Sequence, residues 1–531
     1  RFWESTLPFI QRAVLDLVSQ FPNPNIPLLK SGEKGTVELT QTQVVSLLAA
    51  SFFCLHAQHR PGVKHSSSYK GRIRFNPANF DSLYTTLNTS PSQVLFGSSI
   101  LQVGKMRCIL NYFDRMNSSF DAKQKRKQSG YCAERKVCRR SYLITYHRRS
   151  LFHDQRVLTE VSSHDDGTIE DDGEGTLQVD FANKHIGGGV LHMGCIQEEI
   201  RFVINPECLA SILFCEVRFN HSTEQVMEDN EAIIIVGAER FSNYTGYSRT
   251  FAFGGDFVDR TPLDSRGRIA TTIVAVDALQ LRRSQDQFQV PQLRREVIFS
   301  PFVSMQIFKA FVGFAVDDAV LGNTSRGGQE YAWISTGNWG CGAFGGDLPL
   351  KSMLQWIAAT MSGRKLRYFT FGEPEAASLA YTCSTLRNAR ATVVKLWQAL
   401  LQYCKNPDDP PPYFAKGKGT KDKLDADALD EKDLDMSSSG ANNAPVTNEL
   451  DDGSQEMEKE MEALAALQAK ETRGGKSAGS SKNSSLATPR PGSLFDYLIK
   501  SLPPGSCDPD PSTSAGVGGA TKSKQDFLKK K

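Results

Sequence analysis

Residues 177–200 read LQVDFANKHIGGGVLHMGCIQEEI and carry the most informative pattern in the chain. A strand-like run ends at Asp180, three glycines follow at 187–189, and a carboxylate pair, Glu198 and Glu199, lies within ten residues of them. Glycines allow positive φ and let backbone N–H groups close on an anion such as a diphosphate. A positioned carboxylic acid beside them suits chemistry on an adjoining sugar. The pattern therefore predicts an enzyme site that holds a nucleotide by its phosphates.

Several further motifs accompany this one in a fixed order. The triple glycine, seven intervening residues and QEE at 197–199 resemble the signature of poly(ADP-ribose) glycohydrolases. The similarity continues upstream with GTIEDDGEGTLQVDFAN and downstream with FSNYTGY, TGNWGCGAFGGD and YFTFG. Motifs in one shared order are far more specific than any single motif. The resemblance extends over most of residues 1–405, with the basic segment near 121–149 and everything beyond about 405 outside it.

The sequence pattern from about residue 151 is typical of an α/β fold, because short β-branched runs alternate with helical stretches. The strand candidates are LQVDFA at 177–182, AIIIVGA at 232–238, TTIVAVDAL at 271–279, YAWIS at 331–335 and RYFTF at 367–371. We expect a mixed sheet flanked by helices, with ligand loops at the strand ends. The resemblance narrows this to a macrodomain-like fold with an N-terminal helical extension and a disordered C-terminal tail.

Composition divides the chain into three regions. We expect a mainly helical accessory region with a basic segment over residues 1–150, a macrodomain-like catalytic domain over 151–405 and a low-complexity tail over 406–531. The tail has too little apolar surface to offset the entropy of ordering, so it is predicted to be disordered. Within it, SLFDYLIKSL at 493–502 has the pattern of a short amphipathic helix and is predicted to dock on a partner protein.

Three residues are predicted to start helices. Thr40 precedes a run with apolar residues at helical spacing, which predicts a packed helix. Asn205 is predicted to cap a helix that begins with Pro206 in its first turn, and Asp347 to cap the helix LPLKSMLQWIAATM.

Composition also limits the functional classes. The formal net charge of +3 is too small to indicate nucleic-acid binding by itself. The 11 cysteines lack CxxC pairs and favour reduced intracellular thiols. HExxH and Cys/His ligand spacings are missing from the sequence, so we expect neither a metal nor another cofactor. The longest apolar run, 44–57, is too short to span a bilayer, and we expect a monomer without membrane contact.

The resemblance implies a division of labour between the two glutamates, which cannot both point at one atom because neighbours on a helix diverge by about 100°. It makes Glu199 the general acid and has Glu198 hydrogen-bond the ribose hydroxyls. Asp180 is given a supporting role in catalysis.

The resemblance further implies three groups of substrate contacts. Beside the glutamates these are Asn183, Gly187, Gly188, Gly189 and Gln197. The adenosine end is expected to contact Ile169, Glu170, Tyr247 and Phe371. The diphosphate loop comprises Asn338, Trp339, Gly340, Cys341, Gly342, Ala343 and Phe344. The implied partners are poly(ADP-ribose) and ADP-ribosylated proteins, with nuclear and cytoplasmic pools.

Other interpretations of these motifs stay open at this point. Residues 340–345 form a GxGxxG, the fingerprint of dinucleotide binding, with Glu373 where a ribose-binding acid is found, so an NAD-dependent oxidoreductase is one alternative. A non-catalytic ADP-ribose reader would share the glycine loops without requiring the glutamates. The alternative for the triple glycine and QEE is a tight turn followed by a solvated helix start, and the alternative for Phe371 is a buried strand aromatic.

The basic segment from Asp121 to Arg149 is a separate feature. It holds ten cationic residues against Asp121 and Glu134: Lys123, Lys125, Arg126, Lys127, Arg135, Lys136, Arg139, Arg140, Arg148 and Arg149. Such a cluster attracts a polyanion, and poly(ADP-ribose) is one. A solvated loop or a nuclear import signal fits the composition equally well.

Overall fold

The computed structural model describes residues 2–23, 28–30, 34–56, 78–85, 98–123, 130–137, 154–215, 218–220, 223–225, 227–228, 230–279, 301–316, 333–342, 344–405 and 487–502. Within them an eight-stranded sheet forms the centre of the fold. Its strands are β1 Gly35–Thr40, β2 Gly130–Val137, β3 Val161–His164, β4 Leu177–Asp180, β7 Glu231–Val236, β10 Thr272–Ala275, β11 Ile334–Thr336 and β12 Leu366–Phe369. Two separate hairpins pair β5 Arg218–Asn220 with β6 Thr223–Gln225, and β8 Ser242–Thr245 with β9 Ala252–Asp256.

The strands follow the order β1-β2-β7-β10-β4-β11-β12-β3. The strands from β10 to β3 are mutually parallel, whereas β1, β2, β7 and β10 pair antiparallel. The predicted mixed sheet is therefore confirmed. Because parallel strands end at the same edge, the loops after β3, β4, β10, β11 and β12 open on one side of the sheet.

Helices cover the sheet. They are α1 Leu7–Leu15, α2 Leu17–Gln20, α3 Gln41–Phe52, α4 Asp81–Thr85, α5 Ser98–Lys123, α6 Ile169–Asp172, α7 Gln197–Ile204, α8 Ala210–Phe214, α9 Pro301–Phe314, α10 Leu348–Met361, α11 Leu379–Asn388, α12 Val393–Lys405 and α13 Leu494–Lys500. Short turns of other helix types occur at Phe2–Thr6, Pro206–Leu209, Ser248–Thr250 and Pro374–Ala376. None of these described helices is both long and apolar enough to cross a membrane.

The central strand β7 shows why the fold has three layers. All its residues are buried, and their side chains alternate between two apolar clusters. Ile234 joins the cluster that includes α9, α10, α11 and α12, whereas Ile233 and Ile235 join the one that includes α1, α3, α5 and α7. A strand buried on both faces is near-continuously hydrophobic. The N-terminal helices thus pack directly against one face of the sheet.

Two of the three predicted helix starts are confirmed together with their side-chain caps. Thr40 forms a capping box with Gln43, and the Asp347 carboxylate accepts the N–H of Leu350 at 2.8 Å. The prediction for Asn205 is confirmed in position, because Asn205 directly precedes a helical turn that begins with Pro206, but its side chain makes no capping hydrogen bond. Its side-chain amide donates to the carbonyl of Ala238 at 3.1 Å, and a 3-10 turn at Pro206–Leu209 precedes α8. A longer-range partner therefore replaces the local cap.

Helix α13 corrects the prediction for the 493–502 segment. The segment is helical, and the Ser493 hydroxyl accepts the N–H of Asp496. Its apolar side chains are buried in the cluster that contains α10, α11 and α12, with the Tyr497 and Tyr403 rings 5.0 Å apart. The predicted docking on a partner protein through these residues is wrong, since they are buried within the chain itself. Residues 406–486 and 503–531 lie outside the described residues.

Part of the basic segment is a strand and not the solvated loop that was one interpretation of its composition. Residues 130–137 form β2, which pairs antiparallel with β1 on one side and β7 on the other. A solvated loop is therefore wrong for this part. Residues 121–123 close α5, and 124–129 and 138–150 lie outside the described residues. The first 150 residues thus contribute two strands to the sheet in addition to helices.

Candidate active site

The carboxyl edge of the parallel strands gathers the predicted site residues. β4 ends at Asp180, β11 leads into the loop 337–347, and Phe371 lies just beyond β12. The turn after β3 leads to Ile169 and Glu170 in α6. Segments 201 residues apart in the sequence, counted from 170 to 371, therefore meet at one edge of the sheet.

Glu198 is held by two backbone N–H groups from the segment after β4. Its Oε1 accepts the N–H of Gly187 at 2.7 Å, and its Oε2 accepts the N–H of Asn183 at 2.7 Å. The residue is only 2% exposed. A buried carboxylate needs such donors because it has left the water that otherwise solvates it.

Glu199 is held by a different pair of N–H groups. Its Oε1 accepts from Gly189 at 2.9 Å and its Oε2 accepts from Ile196 at 2.8 Å. It is 5% exposed. The two glutamates therefore occupy separate backbone cradles, in keeping with the divergence expected of adjacent helical residues.

The triple glycine serves these carboxylates. Gly187 and Gly188 have φ of 85° and 48°, values that favour glycine. The N–H groups of Gly187 and Gly189 go to the glutamates, and that of Gly188 goes to the carbonyl of His185 at 2.8 Å. All three N–H groups are donated within the protein, and their contact with a diphosphate stays a prediction. The interpretation as a turn before a solvated helix is wrong as well, since α7 is buried.

Asp180 lies close to the charges of Arg201 and Glu199. It is fully buried, and neither carboxylate oxygen has a hydrogen-bond partner among the residues that the structure describes. Burial raises the pKa of Asp180, as does the charge of Glu199, while the charge of Arg201 lowers it. Burial also raises the pKa of Glu198 well above its usual range, with the charges of Asp180 and Glu199 adding to the effect. The cluster therefore favours keeping a proton among its carboxyl groups.

Gln197 and Asn183, two predicted substrate contacts, are engaged with nearby backbone. The Gln197 amide accepts the N–H of Phe181 at 2.7 Å and donates to the carbonyl of Val179 at 3.2 Å. The Asn183 side-chain oxygen accepts the N–H of His185 at 3.0 Å. Gln197 thus ties the start of α7 to the end of β4, and contact of either residue with substrate stays a prediction.

Two aromatic rings are exposed at the predicted adenosine end. Tyr247 is 42% and Phe371 49% exposed. Phe371 has a φ of 56°, which L-residues other than glycine rarely adopt, and it lies past the last residue of β12. The interpretation of Phe371 as a buried strand aromatic is therefore wrong. The Tyr247 phenol interacts with the backbone of Gln197, which brings this ring to the glutamates.

Ile169 and Glu170 occupy the short helix α6. Ile169 is buried, and the Glu170 carboxylate accepts a short hydrogen bond from the hydroxyl of Tyr244. Tyr244 belongs to the same YTGY sequence as Tyr247. A sequence reading that assigned only Tyr247 missed Tyr244, although the repeat of tyrosine within four residues was a visible signal.

The second glycine loop links β11 to α10. Asn338 accepts from the Tyr368 hydroxyl and donates to the carbonyl of Thr370, both at 3.1 Å, and Gly340 has a φ of 73°. Trp339 is buried and donates from Nε1 to the carbonyl of Val276 at 2.9 Å. Its side chain is therefore part of the interior. Of the other predicted residues, Gly342 is exposed, Cys341 and Phe344 are partly buried, and Ala343 lies outside the described residues.

Helix α5 supplies two residues that the sequence reading did not assign. Lys105 donates to the carbonyls of Val190 and His192, and Gln102 also donates to His192. Both are buried. The available signal was their position on the face of α5 that holds apolar core residues at helical spacing. Among the described residues, no group of three or more His, Cys, Asp or Glu side chains is arranged so that it could hold a metal ion.

A mixed sheet flanked by helices, with buried glutamates beside a glycine turn at its carboxyl edge, defines an α/β protein with a carboxylate site. Two sequence models of one family match the chain. The model described as "Poly (ADP-ribose) glycohydrolase (PARG), helical domain" matches residues 1–136, and the one described as "Poly (ADP-ribose) glycohydrolase (PARG), Macro domain fold" matches residues 150–378.

Full-length relatives agree with these matches. Poly(ADP-ribose) glycohydrolase 1 of Arabidopsis thaliana is 33% identical over 425 residues, which are 71% of each chain. Poly(ADP-ribose) glycohydrolase 1 of Caenorhabditis elegans is 34% identical over 303 residues, 54% of this chain and 33% of that protein. The chain belongs to the poly(ADP-ribose) glycohydrolase family, a family of glycosidases.

Membership of this family decides between the alternative functions of the GxGxxG and shows how far the match extends into the basic segment. An NAD-dependent oxidoreductase is the wrong interpretation of the GxGxxG at 340–345, although β11, α10 and β12 do form a parallel strand–helix–strand unit. The expectation that the basic segment lies wholly outside the family match is also wrong, since the helical-domain match reaches residue 136.

Proposed function

We propose that the chain hydrolyses the ribose–ribose O-glycosidic bonds of poly(ADP-ribose) and releases ADP-ribose, with Glu199 as the general acid. The observation that carries this proposal is the pair of buried glutamates in separate N–H cradles beside Asp180, within the family's macro domain. One carboxyl group can then move a proton while the other keeps a fixed orientation.

In the proposed reaction Glu199 gives its proton to the departing ribose oxygen as the glycosidic bond breaks. The sugar passes through an oxocarbenium-like state, and water attacks it while the same carboxylate, now ionised, takes up the water's proton. The electron pair of the broken bond stays on the leaving oxygen. Glu198 hydrogen-bonds the ribose hydroxyls and holds the sugar in place.

The acid must be protonated when substrate binds. Glu199 shares one buried region with Asp180 and Glu198, and burial with like charges disfavours ionisation of those two neighbours. A protonated Glu199 gains an O–H donor on one oxygen and keeps acceptor capacity on both, so the backbone N–H groups of Gly189 and Ile196 can hold the carboxyl group while the O–H donates to the substrate oxygen.

We propose that the remaining predicted residues bind the nucleotide. The exposed rings of Tyr247 and Phe371 suit stacking on adenine, which offers a flat face. Ile169 and Glu170 hold the rest of the adenosine, and the backbone of the 338–344 loop holds the diphosphate. ADP-ribosylated proteins are the expected macromolecular partners, and we propose a monomer in nuclear and cytoplasmic pools.

A non-catalytic ADP-ribose reader is the second candidate. It is favoured by the complete engagement of both glutamates with backbone N–H groups, which is what a purely structural pair shows. The test incubates the protein with labelled poly(ADP-ribose) and separates the products. Released ADP-ribose supports the hydrolase, whereas polymer that is bound but intact assigns the chain to the readers.

A further inference from the structure

Lys105 lies about two turns from the start of α5, outside the macro-domain match, and is completely buried. Its ammonium donates to the carbonyls of Val190 at 3.0 Å, of His192 at 2.7 Å and of Gly194. A lysine ammonium has three N–H donors, and each has an acceptor here. A cation is thus fixed against one short stretch of backbone.

That stretch is the loop which cradles Glu199. Gly189 donates its N–H to Glu199, and the N–H of Gly194 donates to the carbonyl of Gly189 at 3.0 Å. A Cβ placed on Gly194 would lie 2.7 Å from Oε1 of Glu199. The loop 189–194 therefore has Lys105 on its carbonyl groups and the Glu199 carboxylate directly against its backbone.

Gln102, one helical turn before Lys105, adds to the same contact. Its amide donates to the carbonyl of His192 at 2.7 Å and approaches Sδ of Met193 at 3.3 Å. Two buried polar side chains of α5 therefore donate hydrogen bonds to this loop. Buried polar groups at a helix surface otherwise destabilise packing, so their common target indicates a requirement of the loop.

We propose that Lys105 is a positioning residue for the hydrolysis reaction: its ammonium fixes the 189–194 loop and so holds the backbone N–H that orients Glu199. The inference rests on the proposed function, in which Glu199 acts as the acid. The helical region contributes to catalysis in this way through one cation that reaches the loop without touching the substrate.

The charge state of Lys105 gives the inference a second consequence. Burial lowers the pKa of Lys105 to about 8. The titratable groups that face it are Cys195 and Glu199, and their charges act in the opposite direction and raise its pKa. Above that pH the amine has two N–H donors for three carbonyls. The clamp therefore weakens at alkaline pH in the parent protein, and a variant without the amine lacks this dependence.

The test compares Lys105→Met with Arg107→Met in the full chain. Methionine has a similar length and removes the cation, and Arg107 is an exposed cation on the same helix. The rate of ADP-ribose release is measured per site that binds ADP-ribose in calorimetry, and hydrogen exchange is measured for peptides that cover 187–196. We expect kcat to fall about 100-fold in Lys105→Met, since small misplacements have that effect. Loop exchange should rise about tenfold or more, with Arg107→Met like the parent in both respects.

A merely structural role gives a different result: fewer folded sites, each with parental kcat and parental loop exchange. That result overturns the inference. If Lys105→Met does not fold, Gln102→Met replaces it, with a smaller loss of kcat and the same rise in loop exchange expected, and unchanged values overturn the inference. A parent that releases no ADP-ribose contradicts the proposed function instead, and the loop exchange alone then supports or overturns the clamp.

Discussion

Gly188 leaves the space that the carboxylate of Glu199 occupies. A Cβ built on Gly188 would overlap Oε1 of Glu199 and would lie 2.7 Å from Oε2 of Glu198. Gly188 also has a φ of 48°, in the region that favours glycine. This glycine is therefore required both for the turn and for the closeness of the two glutamates.

Gly188→Ala tests this relationship against a control with the same backbone strain. Gly175 has a φ of 72°, but a Cβ there meets nothing within 4 Å. Left-handed backbone should cost both variants about 1–2 kcal/mol of unfolding free energy, and the overlap with the carboxylates should cost Gly188→Ala about 1–3 kcal/mol more. Only Gly188→Ala should lose activity, by about 100-fold or more, because it displaces the carboxylates. Equal activity of the two variants in the polymer-release assay would contradict the close packing of Gly188 on Glu199.

Asp180→Asn should stabilise the fold at neutral and alkaline pH. The folded-state pKa of Asp180 is raised to about 8 by burial, above the value of about 3.9 in an unfolded chain. The stability that goes with the protonated form is present below the unfolded pKa and is lost as pH rises through the folded pKa. The gain from Asp180→Asn, measured by urea unfolding, should therefore be larger at pH 8 than at pH 5.

The matched control for this pH dependence is Asp166→Asn, because Asp166 is exposed. It should change the unfolding free energy little at either pH. Activity should fall in Asp180→Asn despite its greater stability. A stability gain that is the same at both pH values would show that Asp180 is ionised throughout the range.

Helix α13 should be required for the stability of the fold. The sequence of residues 408–486, which connect it to α12, should not be required. Truncation after residue 405 exposes the apolar surface of α10, α11 and α12 that α13 covers. We expect a truncated chain to unfold at lower temperature and a synthetic 487–502 peptide to restore part of the loss. Replacement of residues 408–486 by a Gly/Ser linker of similar length should leave the unfolding temperature and activity nearly unchanged. A stable truncated chain would contradict the packing of α13.

Point variants within α13 refine this test. Leu498→Ala removes a fully buried side chain and should cost about 2–5 kcal/mol of unfolding free energy. Lys500→Ala removes an exposed cation paired with Asp496 at 2.7 Å, and should cost about 0.3–0.5 kcal/mol. Similar effects of the two substitutions in urea unfolding would argue that α13 is not docked in solution.

Phe371→Ala should weaken ligand binding with little effect on folding, because the ring is 49% exposed. Loss of one stacking partner for a base costs about 1–3 kcal/mol, which is roughly 5- to 150-fold in the Kd for ADP-ribose. The comparison is Phe369→Ala, in which the lost ring is buried in β12 and stability should fall instead. Calorimetry with ADP-ribose and thermal unfolding separate the two effects. Parental affinity in Phe371→Ala would remove this residue from the adenosine site.

Local sequence signals predicted the elements whose stabilising partners are close in the chain. Thr40 and Asp347 cap helices through N–H groups three residues away, so a short motif contains both partners. The order of Asp180, the glycines and the glutamates likewise predicted a site at the end of a strand. The resemblance supplied the family and, with it, the macrodomain fold.

Features that depend on distant partners were not predictable in this way. The side chain of Asn205 donates to the carbonyl of Ala238 and makes no capping hydrogen bond, although Asn205 precedes the helical turn as predicted. β2 is a strand because β1 and β7 flank it. An amphipathic pattern at 493–502 shows that one face needs a partner and does not say whether the partner lies in the same chain. The contact of Lys105 with the glycine loop joins residues 85 or more apart, and sequence spacing carries no information on it.

Glu199→Gln tests the central claim most directly. Glutamine keeps the size of the side chain and removes the ionisable proton, while the rings of Tyr247 and Phe371 remain to bind the nucleotide. The control is Glu174→Gln, since Glu174 is exposed on the same domain. We predict that release of ADP-ribose from labelled polymer falls about 10²- to 10⁴-fold in Glu199→Gln, with ADP-ribose affinity within about threefold of the parent. Near-parental release by Glu199→Gln, at a rate like that of Glu174→Gln, would contradict the role of Glu199 as the acid.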